Sequence, residues 1–306
     1  MRNSFAKGLT SAASKNEEII LFYADIGNNL FNSIKSEAPE RVFNAGIAEA
    51  NMASMAAGAA KMGFKPFIYT ITPFTTARNF EQIKVDIAYA NLPVVIVGTG
   101  SGLSYAALGP THHSFEDIAL MRSLPNMIIV CPADSHELEL LLPKIIGLNK
   151  PCYFRIGKKN EPIITQGTSD LELGKANILE EGKDIAIFSS GTSAPLAQEV
   201  AQALHQLGKE PEFVSFHTIK PLDEQYLKKC STRFKHIVTI EEHNVQGGFG
   251  SAILEFFNEQ QLCCNIHRFG IHDQFIDKVG SRSSALEKTG LTTSSIVESL
   301  KLRGVI

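Results

Sequence analysis

The chain has no tryptophan and only five cysteines in 306 residues. Those cysteines are Cys131, Cys152, Cys230, Cys263 and Cys264, and no two stand at Cys-x-x-Cys spacing. An odd count without that spacing argues against a disulfide framework or a zinc site and for idle thiols in a reducing compartment. Excess charge is lacking as well. A net charge of −3 with scattered basic residues gives no footprint for a polyanionic partner such as nucleic acid. No apolar run approaches the roughly 20 residues that span a bilayer. Residues 1–15 are mixed polar and lack the apolar core of a signal peptide. A cytoplasmic location without membrane contact is the default expectation. Internal repeats and low-complexity tracts are missing too.

What remains is an ordinary soluble composition, 44% hydrophobic and 20% charged. The length predicts two domains of about 150 residues each. Short apolar runs alternate with helical patterns throughout. Ile19–Tyr23, Lys65–Thr70, Pro93–Gly98, Met127–Cys131 and Cys152–Ile156 read as strands, and Gly46–Gly63, Phe80–Ala90 and Ser135–Ile146 as helices. The polar stretch Lys158–Leu173, with Pro162 and Gly167, reads as a linker. Beyond it the alternation resumes, with strands at Asp184–Ser189, Glu212–Phe216, His236–Ile240 and Cys264–Arg268. The expected architecture is α/β, with two doubly wound, largely parallel sheet domains over residues 1–165 and 175–306. Such sheets hold ligands beyond the carboxyl ends of their strands. The loops after Tyr23, Tyr69, Val97 and Phe154 are therefore where a site is expected.

One segment stands out, Arg41-Val-Phe-Asn-Ala-Gly-Ile-Ala-Glu-Ala-Asn-Met52. From Gly46 to Met62 the only charged residues are Glu49 and Lys61. The run Ala53–Ala60 predicts a buried helix with close neighbours. A carboxylate taken into such surroundings loses hydration, which favours its neutral form unless a cation pairs with it. That makes Glu49 a functional candidate, beside the plainer reading of a solvated or capping glutamate at a helix start.

Two further loop motifs lie where the sheet rule places them, Thr70–Ile83 and Leu108–Asp117. With the Glu49 segment, and with Leu124–Glu137, Glu241-Glu-His-Asn244 and Gly247-Gly-Phe-Gly250, they stand in an order and spacing that resembles the C-terminal half of transketolase and its thiamine diphosphate-dependent relatives. The resemblance covers nearly the whole chain. It implies a pyrimidine-binding domain followed by a transketolase C-terminal domain.

The resemblance assigns roles residue by residue. Glu49 matches the glutamate that hydrogen-bonds N1′ of the cofactor pyrimidine and favours the imino form of its 4′-amino group, the internal base. An apolar pocket suits a carboxyl that shares a proton near neutral pH. Phe74 and Phe80 match the aromatic wall around that ring, where an offset stack is worth about 1 kcal/mol beyond burial. His112 matches a histidine of the donor-sugar channel, able to move a proton or bond a hydroxyl. Arg155 matches an arginine that grips substrate phosphate, with a strand-end ion pair as its plainer reading. Arg78 is a second candidate for anion contact. Asp25 matches an aspartate near the cofactor and the subunit contact. His113 has no counterpart.

Two departures concern substrate. Leu108 stands where the common pattern Glu-Asp-Gly-Pro-Thr-His has aspartate, and Gly100 falls at about the position where the family has a second channel histidine. A channel without that carboxylate and imidazole suits an unusual donor or acceptor, such as a deoxy, amino or branched sugar or a small keto acid. The resemblance also implies Mg²⁺ at the cofactor diphosphate, held mainly through a Gly-Asp-Gly motif that this sequence does not contain. The chain therefore reads as the small subunit of a split enzyme transferring a two-carbon ketol unit. Its expected partner is a separately encoded diphosphate-binding subunit, in an α2β2 assembly about a two-fold axis. Alternatives are a 2-oxo acid dehydrogenase E1 β-like subunit and a non-catalytic assembly or regulatory homologue.

Overall fold

The computed structural model describes residues 1–27 and 29–306. Its strands are β1 (Ile19–Tyr23), β2 (Val42–Asn44), β3 (Lys65–Ile71), β4 (Val95–Thr99), β5 (Ile128–Val130), β6 (Cys152–Ile156), β7 (Asn177–Glu180), β8 (Ile185–Ser189), β9 (Pro211–Ser215), β10 (Thr218–Lys220), β11 (His236–Asn244) and β12 (Asn265–Ile271). They form a seven-stranded sheet, β10-β5-β6-β4-β3-β1-β2, and a five-stranded sheet, β12-β11-β8-β9-β7. Every pairing is parallel except β10 with β5 and β7 with β9. The expected α/β architecture of two largely parallel sheets is what forms. The strands β1, β3, β4 and β6 are buried along their whole length, as their largely apolar runs lead one to expect, with Lys65 and Arg155 as the charged exceptions.

The strand ends are level. Tyr23 lies beside Asn44 and Tyr69, Tyr69 beside Val97, and Val97 beside Phe154. The loops that follow β1, β2, β3, β4 and β6 therefore emerge at one edge of the sheet.

Three elements depart from the sequence reading. Residues Arg2–Ala13 form a helix, and Phe5, Ala6, Leu9 and Ala13 are buried on one side of it. Phe5 stacks on Tyr69 at 5.8 Å between ring centroids. Full burial of such a ring contributes about 1.5–3 kcal/mol. The helix Glu49–Lys61 buries only one face, through Glu49, Met52, Ala53, Ala56, Ala57 and Ala60. Its other face, with Ser54, Met55 and Gly58, is exposed, so the run is not buried all round as expected. The predicted helix over Phe80–Ala90 has one regular turn, Phe80–Gln82, and continues as a π-helix over Ile83–Tyr89. Such wide turns concentrate near functional sites.

The second domain is fastened to the loops of the first. Strand β10 extends the first sheet by pairing with β5. The end of β11 also docks there: Leu103 N–H donates to Glu242 Oε1 at 2.5 Å, and Asn244 N–H to Phe115 O at 2.8 Å. Arg122 donates to the carbonyls of Gly247 and Gly248. Glu241 accepts the N–H groups of Phe249 and Gly250 and so caps the helix Phe249–Glu259. A Cβ at Gly248 would lie 2.1 Å from Glu241 Oε2, so only glycine fits there. Asp134 and Glu137, from the Leu124–Glu137 motif, are also structural. Asp134 caps the helix Ser135–Ile146 and accepts N–H bonds from Ile164 and Thr165. Glu137 accepts from Ala133, Asn177 and Ser215. No helix among the described residues is long and apolar enough to cross a membrane.

Candidate active site

Glu49 is the first residue of its helix, reached by a short loop from β2. Asn44 shapes that loop, its Oδ1 accepting the N–H groups of Asp25 and Gly46. A carboxylate at a helix N-terminus faces the positive end of the backbone dipole. Glu49 is 4% exposed. Its Oε1 accepts from Arg78 Nη1 at 2.9 Å. The plainer reading of a solvated glutamate therefore does not describe it. Asn79, fully buried, donates to the Glu49 carbonyl and leaves its own Oδ1 unpartnered.

The loop after β3 supplies the next wall. Thr72–Thr76 forms a short helix, pinned by the Thr72 hydroxyl on the Thr99 carbonyl. It projects Phe74, whose ring carries the Arg78 guanidinium on one face at 4.2 Å from the centroid. The imidazole of His112 meets the same phenyl ring edge-on, with centroids 5.2 Å apart. Glu49, Arg78, Phe74 and His112 thus form one continuous cluster from three separate loops. Burial, with the nearby Arg78 charge, lowers the His112 pKa below its ordinary value. The ring is therefore neutral near pH 7 and able to accept a proton.

The remaining expected residues are placed differently. Phe80 is half-buried and packs against the core cluster containing Met52, Ile83 and Ile87. Phe74 is the phenyl ring that meets both Arg78 and His112. Asp25 is exposed at the end of β1, in a left-handed conformation with φ 41°. His113 is buried against Phe115, with ring centroids 5.3 Å apart.

Arg155 requires a correction. It is 2% exposed, and its Nε donates to Asp117 Oδ2 at 2.6 Å and its Nη2 to Asp117 Oδ1 at 3.3 Å. Nη2 also reaches the carbonyls of Ser114 and Glu242. Its Nε and Nη2 are both bonded within the protein, so the fork these two nitrogens would present to a phosphate is taken by Asp117. The plainer reading, a strand-end ion pair, is the one the geometry fits. Burial alone would raise the Asp117 carboxyl, but the charges of Arg155 and His243 and the hydroxyl of Tyr153 hold it below its ordinary pKa.

Two residues missed in the sequence belong beside the cluster. Tyr105 lies 6.1 Å from His112 between ring centroids, and Lys158 Nζ sits 4.0 Å above the Tyr105 ring. Tyr105 also fills the space at Gly100, where φ is +72° and a Cβ would lie 2.0 Å from the tyrosine ring. A lysine just beyond β6 is a detectable signal, but the polar stretch it opens reads as linker. Leu108 is 52% exposed at the mouth of this loop.

Residues 1–162 match the family described as transketolase, pyrimidine binding domain, and residues 174–296 match transketolase, C-terminal domain. The chain is 34% identical to a 6-deoxy-6-sulfo-D-fructose transketolase subunit of Clostridium sp. strain MSTE9, over 97% of this chain and 92% of that one. It is 33% identical to an apulose-4-phosphate transketolase subunit of Phocaeicola vulgatus, over 89% and 88%. A solved structure of a split gene transketolase, an inactive β4 tetramer, superposes with a TM-score of 0.90 at 34% identity, covering 98% of this chain and 96% of that one. By its two domains and by the length over which these relatives match, the chain belongs to the transketolase family.

Proposed function

We propose that this chain is the catalytic small subunit of a split, thiamine diphosphate-dependent transketolase that moves a two-carbon ketol unit between sugar substrates. The observation that carries this reading is the convergence of buried Glu49 with Phe74 and His112 at one sheet edge. The residues fit the pyrimidine end of the cofactor: a desolvated carboxylate at a helix start, a flat apolar face and a neighbouring imidazole. The sequence lacks the Gly-Asp-Gly motif that would meet a cofactor's diphosphate and Mg²⁺, and the reading assigns that end of the cofactor to a partner subunit.

When bound, the cofactor supplies a nucleophilic carbon that can accept a ketol unit from a ketose. Glu49 holds the proton shared with ring nitrogen N1′, in surroundings that exclude water. Phe74 offers its face to the pyrimidine. His112, neutral near pH 7, takes a proton from a substrate hydroxyl or returns it. Arg155 keeps the Ser114–Asp117 segment in place and touches no substrate. Lys158, which is not buried, is the cation available to meet an anionic end of the sugar, and Arg78 adds to it only when it leaves Glu49. With Leu108 and Gly100 where the family pattern has a carboxylate and an imidazole to bond hydroxyls, the channel suits a donor or acceptor with fewer hydroxyls to satisfy, such as a deoxy, amino or branched sugar or a small keto acid.

The reading requires a partner chain and an α2β2 assembly. Its support is exposed apolar side chains near the site: Ile47, two residues before Glu49, is 78% exposed, and Val85 and Tyr89 are exposed on the π-helix that packs against the Glu49 helix. Patches of this kind mark interaction surfaces. Co-purification with a chain carrying Gly-Asp-Gly, followed by a ketol-transfer assay, tests the reading. Glu49→Gln in the reconstituted complex should lower kcat at least about a hundredfold. Full activity without the carboxylate would end the assignment.

A further inference from the structure

The guanidinium of Arg78 has the contacts of a small aromatic cation. It is planar, it lies over the Phe74 ring at 4.2 Å, and it donates an N–H to Glu49 Oε1 at 2.9 Å. A pyrimidine ring held by this site would use the same two groups, the phenyl face and the glutamate oxygen. We propose that Arg78 competes with the cofactor's aminopyrimidine for the Phe74 face and the Glu49 carboxylate, and is displaced when the cofactor binds. The inference rests on the thiamine diphosphate reading above and adds a specific residue that sets cofactor affinity.

The physical need for such a device follows from burial. Glu49 is 4% exposed, and a buried carboxylate without a partner is costly. A subunit made separately must survive before it meets its partner and cofactor. Arg78 supplies the missing partner without being locked itself, since its side chain remains 45% exposed. An ion pair that half-exposed is weak, and so is a cation–π contact near the surface. The pair is strong enough to satisfy Glu49 and weak enough to yield to a ring that makes the same contacts and more. The distance from Arg78 to the Phe74 face leaves no room for a second ring on that face while the guanidinium stays.

Three measurements test this, the first two in the assembled two-subunit enzyme with thiamine diphosphate and Mg²⁺ titrated calorimetrically. Arg78→Ala should tighten cofactor binding about tenfold, because the pair no longer has to be broken. Arg78→Lys keeps a charge that can still meet Glu49 and the ring, and should tighten binding less than Arg78→Ala; tightening only in Arg78→Lys would overturn the proposal. In the same Arg78→Ala variant the chain without its partner should unfold at a lower urea concentration than wild type, since Glu49 is then unpaired. Lower stability of the free chain together with tighter cofactor binding is a combination that a merely structural role does not produce. Weaker or unchanged cofactor binding in Arg78→Ala overturns this competition and leaves the functional reading standing, as long as the wild-type complex binds the cofactor. A wild-type complex that binds no thiamine diphosphate overturns both.

Discussion

The Arg155–Asp117 pair gives the clearest quantitative test, because every contact is buried. Replacing Arg155 with Met leaves a fully buried carboxylate that retains only the Tyr153 hydroxyl at 2.6 Å among its present side-chain partners. Breaking one side of such a pair costs about 3–5 kcal/mol. Solvent screening does not reduce this, since both side chains are 1% exposed. Tyr153→Phe removes one hydrogen bond to the charged group and should cost less, about 1.5–3 kcal/mol. Replacing both charges, as Arg155→Met with Asp117→Leu, should cost less than the sum of the single changes, because no orphaned charge is left. Urea denaturation followed by far-ultraviolet circular dichroism measures all of them. The pH dependence has a fixed sign. Asp117 has a depressed folded pKa, so its contribution is present above the unfolded value near 3.9 and is lost as pH falls through the folded one. The stability gap between wild type and Arg155→Met should therefore narrow in acid. A variant as stable as wild type to within about 1 kcal/mol at neutral pH would show that the pair is not the joint described here.

Other measurements follow from the same contacts. Burial raises both Glu137 and Glu241 from 4.5 to about 7. A raised acid contributes stability that is full below its unfolded pKa and is lost as pH rises through the folded one, so thermal midpoints should fall between about pH 5 and pH 7.5. Glu241→Gln should flatten part of that fall, and an unchanged slope would refute the assignment. Gly100→Ala places a Cβ 2.0 Å from the Tyr105 ring at φ +72° and should destabilise the chain by about 1–3 kcal/mol in a denaturant titration, where no loss would mean that Tyr105 moves freely. In the reconstituted enzyme Lys158→Met should raise KM for an anionic sugar about tenfold with little change in kcat, and an equal effect on an uncharged sugar would remove Lys158 from anion recognition.

The fold is largely legible because the central strands are short, mostly apolar runs separated by polar, glycine-containing loops. Ile19–Tyr23 and Cys152–Ile156 form over the expected residues, and so does the helix Ser135–Ile146. The helix Arg2–Ala13 is hidden because its four buried residues are separated by polar ones in a segment read for targeting signals. Strand β10 is hidden for another reason. Three residues are too few to show a period, and β10 exists because β5 has a free edge for it to pair with.

The site is legible to the extent that one loop decides one residue. Glu49, Phe74 and His112 each follow a strand end, and parallel strands in register bring their loops together without further information. Arg155 is misread because its fate depends on Asp117, 38 residues earlier in the chain, and on the Glu242 carbonyl, 87 residues later. A guanidinium at a strand end looks the same in sequence whether it faces a ligand or a buried carboxylate. Arg78 shows the converse case. An arginine in a polar loop carries no sign that it will lie on a phenylalanine and bond a glutamate, and only the fold reveals that one side chain satisfies both surfaces a cofactor ring would need. Residues whose partners lie across the sheet edge are where sequence pattern loses force, because pattern reports burial and period but not which charge meets which.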